Sequence, residues 1–112
     1  MRGRLVHRGE VFWVSSDASQ GGEIRKRRPV VTVSNNSASR HLNRVQVVAL
    51  TSNTDRLVPS EAIVTVSGRT SKAMADQIAT ATKERLGDLL GSLSDADMSN
   101  VEDAVRRQLG LL

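Results

Sequence analysis

A small, strongly twisted antiparallel β barrel with one helix packed on it is the fold class this sequence predicts. Three observations carry that prediction. Short apolar runs bounded by polar, glycine- or proline-marked segments recur along the first 93 residues. The only clear helical periodicity comes after them, at the C-terminus. The chain has 112 residues, enough for one core and too few for two, so residues 1–112 read as a single domain. Strands followed by a helix on a chain this short make a mainly β, α+β architecture.

The elements follow in order. Glu10–Val14 reads as a first strand and holds the only Phe and the only Trp. Ser15–Lys26 is a polar loop around Gly21-Gly22, long for a compact domain, and loops of that kind are usually functional. Pro29–Ser34 is the second strand, opened by a proline that fixes φ and follows four consecutive cations, Arg25-Lys26-Arg27-Arg28. Arg28, as the residue before proline, is driven toward an extended conformation and loses freedom. Asn35–Asn43 is polar and turn-rich. Arg44–Thr51 is apolar on both faces and predicts a central strand. Ser52–Val58 is a second polar loop. Pro59–Val66 is the fourth strand, and Ser67–Lys72 a turn around Gly68. Gln77–Thr82 and Leu89–Leu93 are short strands. Ser94–Leu109 is the helix: Ser94 is an N-cap, Asp95 and Asp97 favour the first turn, and Gly110 is the stop. Met98, Val101, Val105, Leu109 and Leu112 lie on one helical face.

Bulk properties narrow the function classes. Zero cysteines exclude disulfides, thiolate metal sites and cysteine nucleophiles. There is no run of 18 or more apolar residues and no apolar core of signal-peptide length, so the expectation is a cytoplasmic protein that does not engage a membrane. The net charge is +4 and uneven: residues 1–72 carry 12 Lys/Arg against 5 Asp/Glu, and residues 73–112 carry 4 against 7. A basic surface built from the first two thirds points to a polyanion, and nucleic acid is the obvious one. With 2% aromatic residues, a stacking-based nucleic-acid module is a poor fit. The scattered carboxylates argue against two-metal nuclease chemistry, so no metal or cofactor is expected.

Several segments taken together resemble the MazF/PemK toxin family of bacterial toxin–antitoxin systems. They are Arg8-Gly9-Glu10-Val11-Phe12-Trp13, Gly22-Glu23, Arg28-Pro29-Val30-Val31-Thr32-Val33-Ser34-Asn35 and Val48-Ala49-Leu50-Thr51-Ser52-Asn53. Pro59-Ser60, Asp76-Gln77-Ile78, Lys83-Glu84-Arg85-Leu86 and the leucine-rich helix from Ser94 complete the set. The resemblance implies an SH3-like barrel of the MazF/Kid/CcdB type. It implies a homodimer that cleaves single-stranded RNA (mRNA, rRNA or tRNA) in a sequence-selective, metal-independent way and so arrests translation. It also implies a cognate MazE-like antitoxin with an acidic and hydrophobic tail, a heterohexamer with that antitoxin, and contact with DNA only through it. Two segments depart from the commonest family pattern: the basic run Ile24-Arg25-Lys26-Arg27 and the polar Ser37–Asn43 with His41.

Metal-free RNA cleavage uses the substrate's own 2′-hydroxyl as nucleophile and needs a base, charge stabilisation at phosphorus and an acid. Arg28 is the first candidate for the phosphate, since a guanidinium can hold two oxygens at once, and the family places its essential arginine there. Thr51, at the end of the central strand, can donate its hydroxyl. Glu23 is the third catalytic candidate, as base or as a ligand of a 2′-hydroxyl. Arg25, Lys26 and Arg27 are expected to track the RNA backbone. Asn35, Asn36, Ser52, Asn53, Asp76 and Gln77 are candidates for reading bases or backbone, although Ser and Asn also form ordinary turns. His7 and His41 titrate near neutrality but match no required family histidine. Trp13 is a base-stacking candidate or a core residue. A second class stays open: a CcdB-like toxin that binds DNA gyrase without hydrolysis, for which Leu109-Gly110-Leu111-Leu112 would supply the contact surface.

Overall fold

Six strands, two α-helices and one short 3-10 turn (Lys83–Arg85) make up a computed structural model that describes residues 5–15 and 27–111. They are β1 (Glu10–Ser15), β2 (Arg27–Thr32), α1 (Asn36–His41), β3 (Arg44–Thr51), β4 (Glu61–Val66), β5 (Arg69–Thr82), β6 (Leu86–Ser92) and α2 (Asp95–Leu109). The sheet order is β4-β5-β3-β2-β1-β6, with antiparallel pairing throughout. β3 is interior, as its two-sided apolar sequence predicts.

Both faces of the central strands carry buried residues, and alternation along the strands divides them between two cores. Val11, Val31, Val48, Leu50, Val64 and Val66 face α2, which delivers Met98, Val101 and Ala104 onto them. Val6, Phe12, Val30, Val45, Val47, Ala81 and Leu86 form the smaller core on the other face. Val101 is fully buried, and a valine so placed contributes about 2 kcal/mol of hydrophobic stabilisation.

α2 forms as its caps predict. The Ser94 hydroxyl accepts the Asp97 N–H at 3.1 Å, and Gly110 takes the left-handed conformation at φ 72° that ends the helix. The apolar face is shorter than the sequence suggests. Leu109 is 51% exposed and Leu111 60%, and Leu112 lies outside the described residues.

Four further expectations are corrected. The polar segment after β2 contains α1, too short and too polar for periodicity to reveal; it starts because the Asn35 carboxamide accepts the Ala38 N–H at 2.7 Å. β2 begins at Arg27 and ends at Thr32, not at Ser34. The stretch read as a turn and a separate strand is one strand of 14 residues, β5. Only Ser67 and Gly68 turn, both at positive φ, which suits a two-residue hairpin closing on the pair Val66↔Arg69. β6 starts at Leu86, three residues earlier than expected.

The barrel is also left open. β4 and β6 are the edges of the hydrogen-bonded sheet. They approach where the Ser67 hydroxyl donates to the Leu90 carbonyl at 2.6 Å. A Cβ on Gly91 would stand 3.0 Å from the Ser67 Oγ, so glycine permits the close passage of the two edges. The outer side of β4 is met by α2, whose Asp97 carboxylate accepts the Thr65 N–H at 2.8 Å. Among the described residues no helix is long and apolar enough to cross a membrane.

Candidate active site

Arg28 stands at the start of β2, paired with Val14 of β1. On its other side the β2–β3 ladder runs Thr32↔Val47, Val31↔Val48, Val30↔Ala49 and then stops. Pro29 has no N–H with which to extend it. Carried on by two residues, this register sets Arg28 level with Thr51. Period-two alternation puts both side chains on the sheet face of Val30 and Ala49. Sequence reasoning proposed the two as partners, and the fold brings them to the same end of neighbouring strands.

A bulge on the next strand completes the arrangement. β5 pairs with β3 as Val48↔Ile78 and then as Ala49↔Met74, so Ala75, Asp76 and Gln77 have no opposite residues on β3. A bulge of this kind re-aims side chains. Here Gln77 reaches across β3, and the Arg28 Nη1 donates to its Oε1 at 3.2 Å. The Gln77 amide nitrogen also lies 3.6 Å from the Met74 Sδ. Arg28 makes no other hydrogen bond among the described residues. An exposed guanidinium held at one corner keeps most of its fork available for an anion.

Thr51 is half-buried at the end of β3. Its Oγ1 accepts the Asn53 N–H at 3.2 Å, and the Asn53 Oδ1 accepts the Asp55 N–H at 3.1 Å. A hydroxyl that accepts from one side is free to donate on another. The site therefore carries a cationic fork and a hydroxyl donor on one face of one sheet, both with restrained approaches. That arrangement suits a tetrahedral anion or a phosphodiester.

The remaining candidates fall in three places. Asp76 is exposed on the bulge, and Asn53 is exposed in the loop that leaves Thr51. Ser52 and Arg27 turn to the opposite face. There the Arg27 guanidinium lies 4.5 Å from the centre of the Trp13 ring, a cation–π contact. Beside it Trp13, Pro29, Leu50, Ser52, Arg69 and Leu90 border a cavity of about 340 Å³. Asn35 and Asn36 lie past the other end of β2. Asn35 caps α1, and the Asn36 Oδ1 accepts the Arg8 N–H at 2.7 Å. The fold gives both structural work and does not bring them to Arg28. Glu23, Arg25 and Lys26 lie outside the described residues. His41 closes on the Ser37 carbonyl at 2.9 Å at the far end of β3, and the His7 N–H is bound by Glu10 at 2.8 Å. Neither histidine joins Arg28 and Thr51.

Sequence reasoning missed a buried ion pair beside Thr51. The cross-strand partner of Thr51 on β5 is Lys72, only 8% exposed. Its Nζ lies 3.0 Å from the Glu61 Oε1 and donates to the Arg56 carbonyl at 2.7 Å. Burial favours the neutral Glu61 carboxyl, but the Val58 N–H, the Lys72 ammonium and Arg56 together outweigh it and hold the group below the usual carboxylate range. The available signal was a lysine at the head of the apolar run Ala73-Met74-Ala75, which a turn assignment concealed.

Comparison with known proteins agrees with this architecture. Residues 7–109 match the family described as PemK-like, MazF-like toxin of type II toxin–antitoxin system. The chain is 32% identical to endoribonuclease MazF9 of Mycobacterium tuberculosis, with 96% of this chain and 98% of that protein covered. Among solved structures it is similar to a mycobacterial endoribonuclease in complex with its cognate antitoxin. That match has a TM-score of 0.80 at 34% identity, over 96% of this chain and 97% of the other. It also shares the fold of MazF in a MazE–MazF structure from Deinococcus radiodurans, at TM-score 0.83 and 19% identity, over 97% of this chain and 99% of the other.

Proposed function

The chain belongs to the PemK-like, MazF-like toxin family of type II toxin–antitoxin systems, and from that premise we propose that it is an endoribonuclease. Its substrate is single-stranded RNA, cut without a metal ion. The observation that carries this reading is the exposed Arg28 fork, held by Gln77 at 3.2 Å at the end of β2 that adjoins the Thr51 end of β3. A toxin acting only by protein contact has no need of a convergent phosphate clamp.

In the proposed reaction the 2′-oxygen of one nucleotide attacks the adjacent phosphorus. Its proton passes to a general base, for which Glu23 is the candidate. Arg28 holds two non-bridging oxygens as negative charge builds on the five-coordinate phosphorus, and Thr51 donates to one of them. The bond from phosphorus to the 5′-oxygen breaks as that oxygen takes a proton from a general acid or from solvent water, and the proton taken up by the base returns to solvent. The products are a 2′,3′-cyclic phosphate and a 5′-hydroxyl. Asp76 and Asn53 flank the path and are the candidates for reading bases. Arg25 and Lys26 supply backbone attraction, and Arg27, turned onto Trp13 on the opposite face, adds only long-range charge.

The protein is further proposed to work as a homodimer in the cytoplasm and to be silenced by a cognate antitoxin. The family membership and the similarity to a toxin solved with its antitoxin support this.

The test is cleavage of a mixed-sequence RNA by purified protein in excess EDTA, with end analysis of the products. Undiminished cleavage that leaves cyclic phosphate ends is the expected result. Loss of activity on chelation, or 3′-hydroxyl products, would overturn the mechanism. No cleavage together with stalled gyrase would favour the binding-only class. Within the same assay Gln77→Leu is expected to lower the rate about tenfold with folding unchanged, because the exposed guanidinium loses the acceptor that orients it.

A further inference from the structure

Resting on the reading of Thr51 as the phosphate donor, we propose that Lys72 and Glu61 are positioning residues. Together they set the loop that leaves Thr51, and with it the hydroxyl and the substrate-reading residues that follow.

The loop between β3 and β4 is tied at both ends. At its start, hydrogen bonds run from Asn53 N–H to the Thr51 hydroxyl and from Asp55 N–H to the Asn53 carboxamide. At its end, the Lys72 ammonium takes the Arg56 carbonyl and the Glu61 carboxylate. The same Glu61 Oε1 accepts the Val58 N–H at 3.1 Å, and the Glu61 N–H returns to the Val58 carbonyl at 2.9 Å. Lys72 is also the β5 residue directly opposite Thr51. One buried cation thus fixes the backbone five residues beyond the hydroxyl while its own strand pairs with the residue that bears that hydroxyl.

Stability alone is a weak reason for this pair. The side chains are 10% and 12% exposed, and an apolar pair of similar volume often serves a fold as well as a buried ion pair or better. An ion pair adds direction. Its donors hold named carbonyl and carboxylate oxygens, and so one loop setting among several of similar packing. Misplacement of a catalytic group by about 1 Å can cost about a hundredfold in rate.

The apolar double variant Lys72→Met/Glu61→Leu separates the two roles. It removes both charges together, so neither is left buried alone. The expected result is a melting temperature close to wild type and kcat lowered at least about tenfold, with a smaller rise in KM from the displaced Asn53. A purely structural pair predicts wild-type kcat in that variant, and that outcome overturns the proposal. Glu61→Gln, which keeps the shape and weakens the grip, covers the case in which the double variant does not fold. Amide hydrogen exchange in Glu61→Gln should be faster at Asn53 and Asp55, with β3 still protected. Unchanged exchange at those amides together with unchanged kcat would also overturn the proposal. If the wild type itself cuts no RNA, the functional reading fails, and the brace then stands or falls on the exchange result alone.

Discussion

Arg28→Lys is expected to fold, bind RNA about as tightly as the wild type, and cleave it about a hundredfold more slowly. The charge is unchanged, so the electrostatic part of RNA affinity, which counts neutralised phosphates, is preserved. The fork is lost. An ammonium is a point charge that cannot hold two phosphate oxygens in a plane, and the 3.2 Å contact that fixes Arg28 to Gln77 is made by one arm of that fork. Arg28 is exposed and belongs to neither core, so a folding defect is not expected to confound the result. Single-turnover kinetics with enzyme in excess isolates the chemical step. A wild-type rate there would remove Arg28 from the transition state.

Thr51→Val is expected to have an effect of similar size by a different route. Valine keeps the β-branched shape that suits the end of β3 but has no hydroxyl. The phosphate loses a donor, which costs about a hundredfold when the lost group is of the oxyanion-hole kind. The Asn53 N–H also loses its acceptor. Thr51→Ser separates the contributions, since it restores the hydroxyl with a freer χ1, and it should recover most of the rate. The Arg28→Lys/Thr51→Val combination should be less harmful than the product of the single losses, since the proposed mechanism has both residues act in one step. A strictly multiplicative loss would place them in separate steps.

What could be read from the chain depended on range. Arg44–Thr51 declared itself central because valine and alanine fill both faces, and α2 declared itself through Ser94, Asp97 and Gly110. Those are local signals. Arg28 and Thr51 were visible as a pair only through resemblance, since 23 residues separate them and the β2–β3 register alone brings them level. β5 was misread because Ser67–Lys72 looks like a turn and Gln77 like the start of a new strand, whereas one strand runs through and the bulge leaves Asp76 and Gln77 without ladder partners. α1 was hidden because its start depends on a single carboxamide. The open sheet was beyond a pattern argument, since alternation fixes which face a residue takes and not whether the outer strands join.

The bulge also bears on how such an enzyme could diverge. Asp76 and Gln77 face no residue on β3, and the β4–β5 register ends at Met74. Replacing Asp76 therefore disturbs no cross-strand pair and neither core, while it alters an exposed side chain next to Gln77, the residue that holds Arg28. Inheritance can experiment at such a position without risking the scaffold. Lineages sharing this architecture can drift toward different RNA sequences one substitution at a time, each intermediate still folded and still toxic.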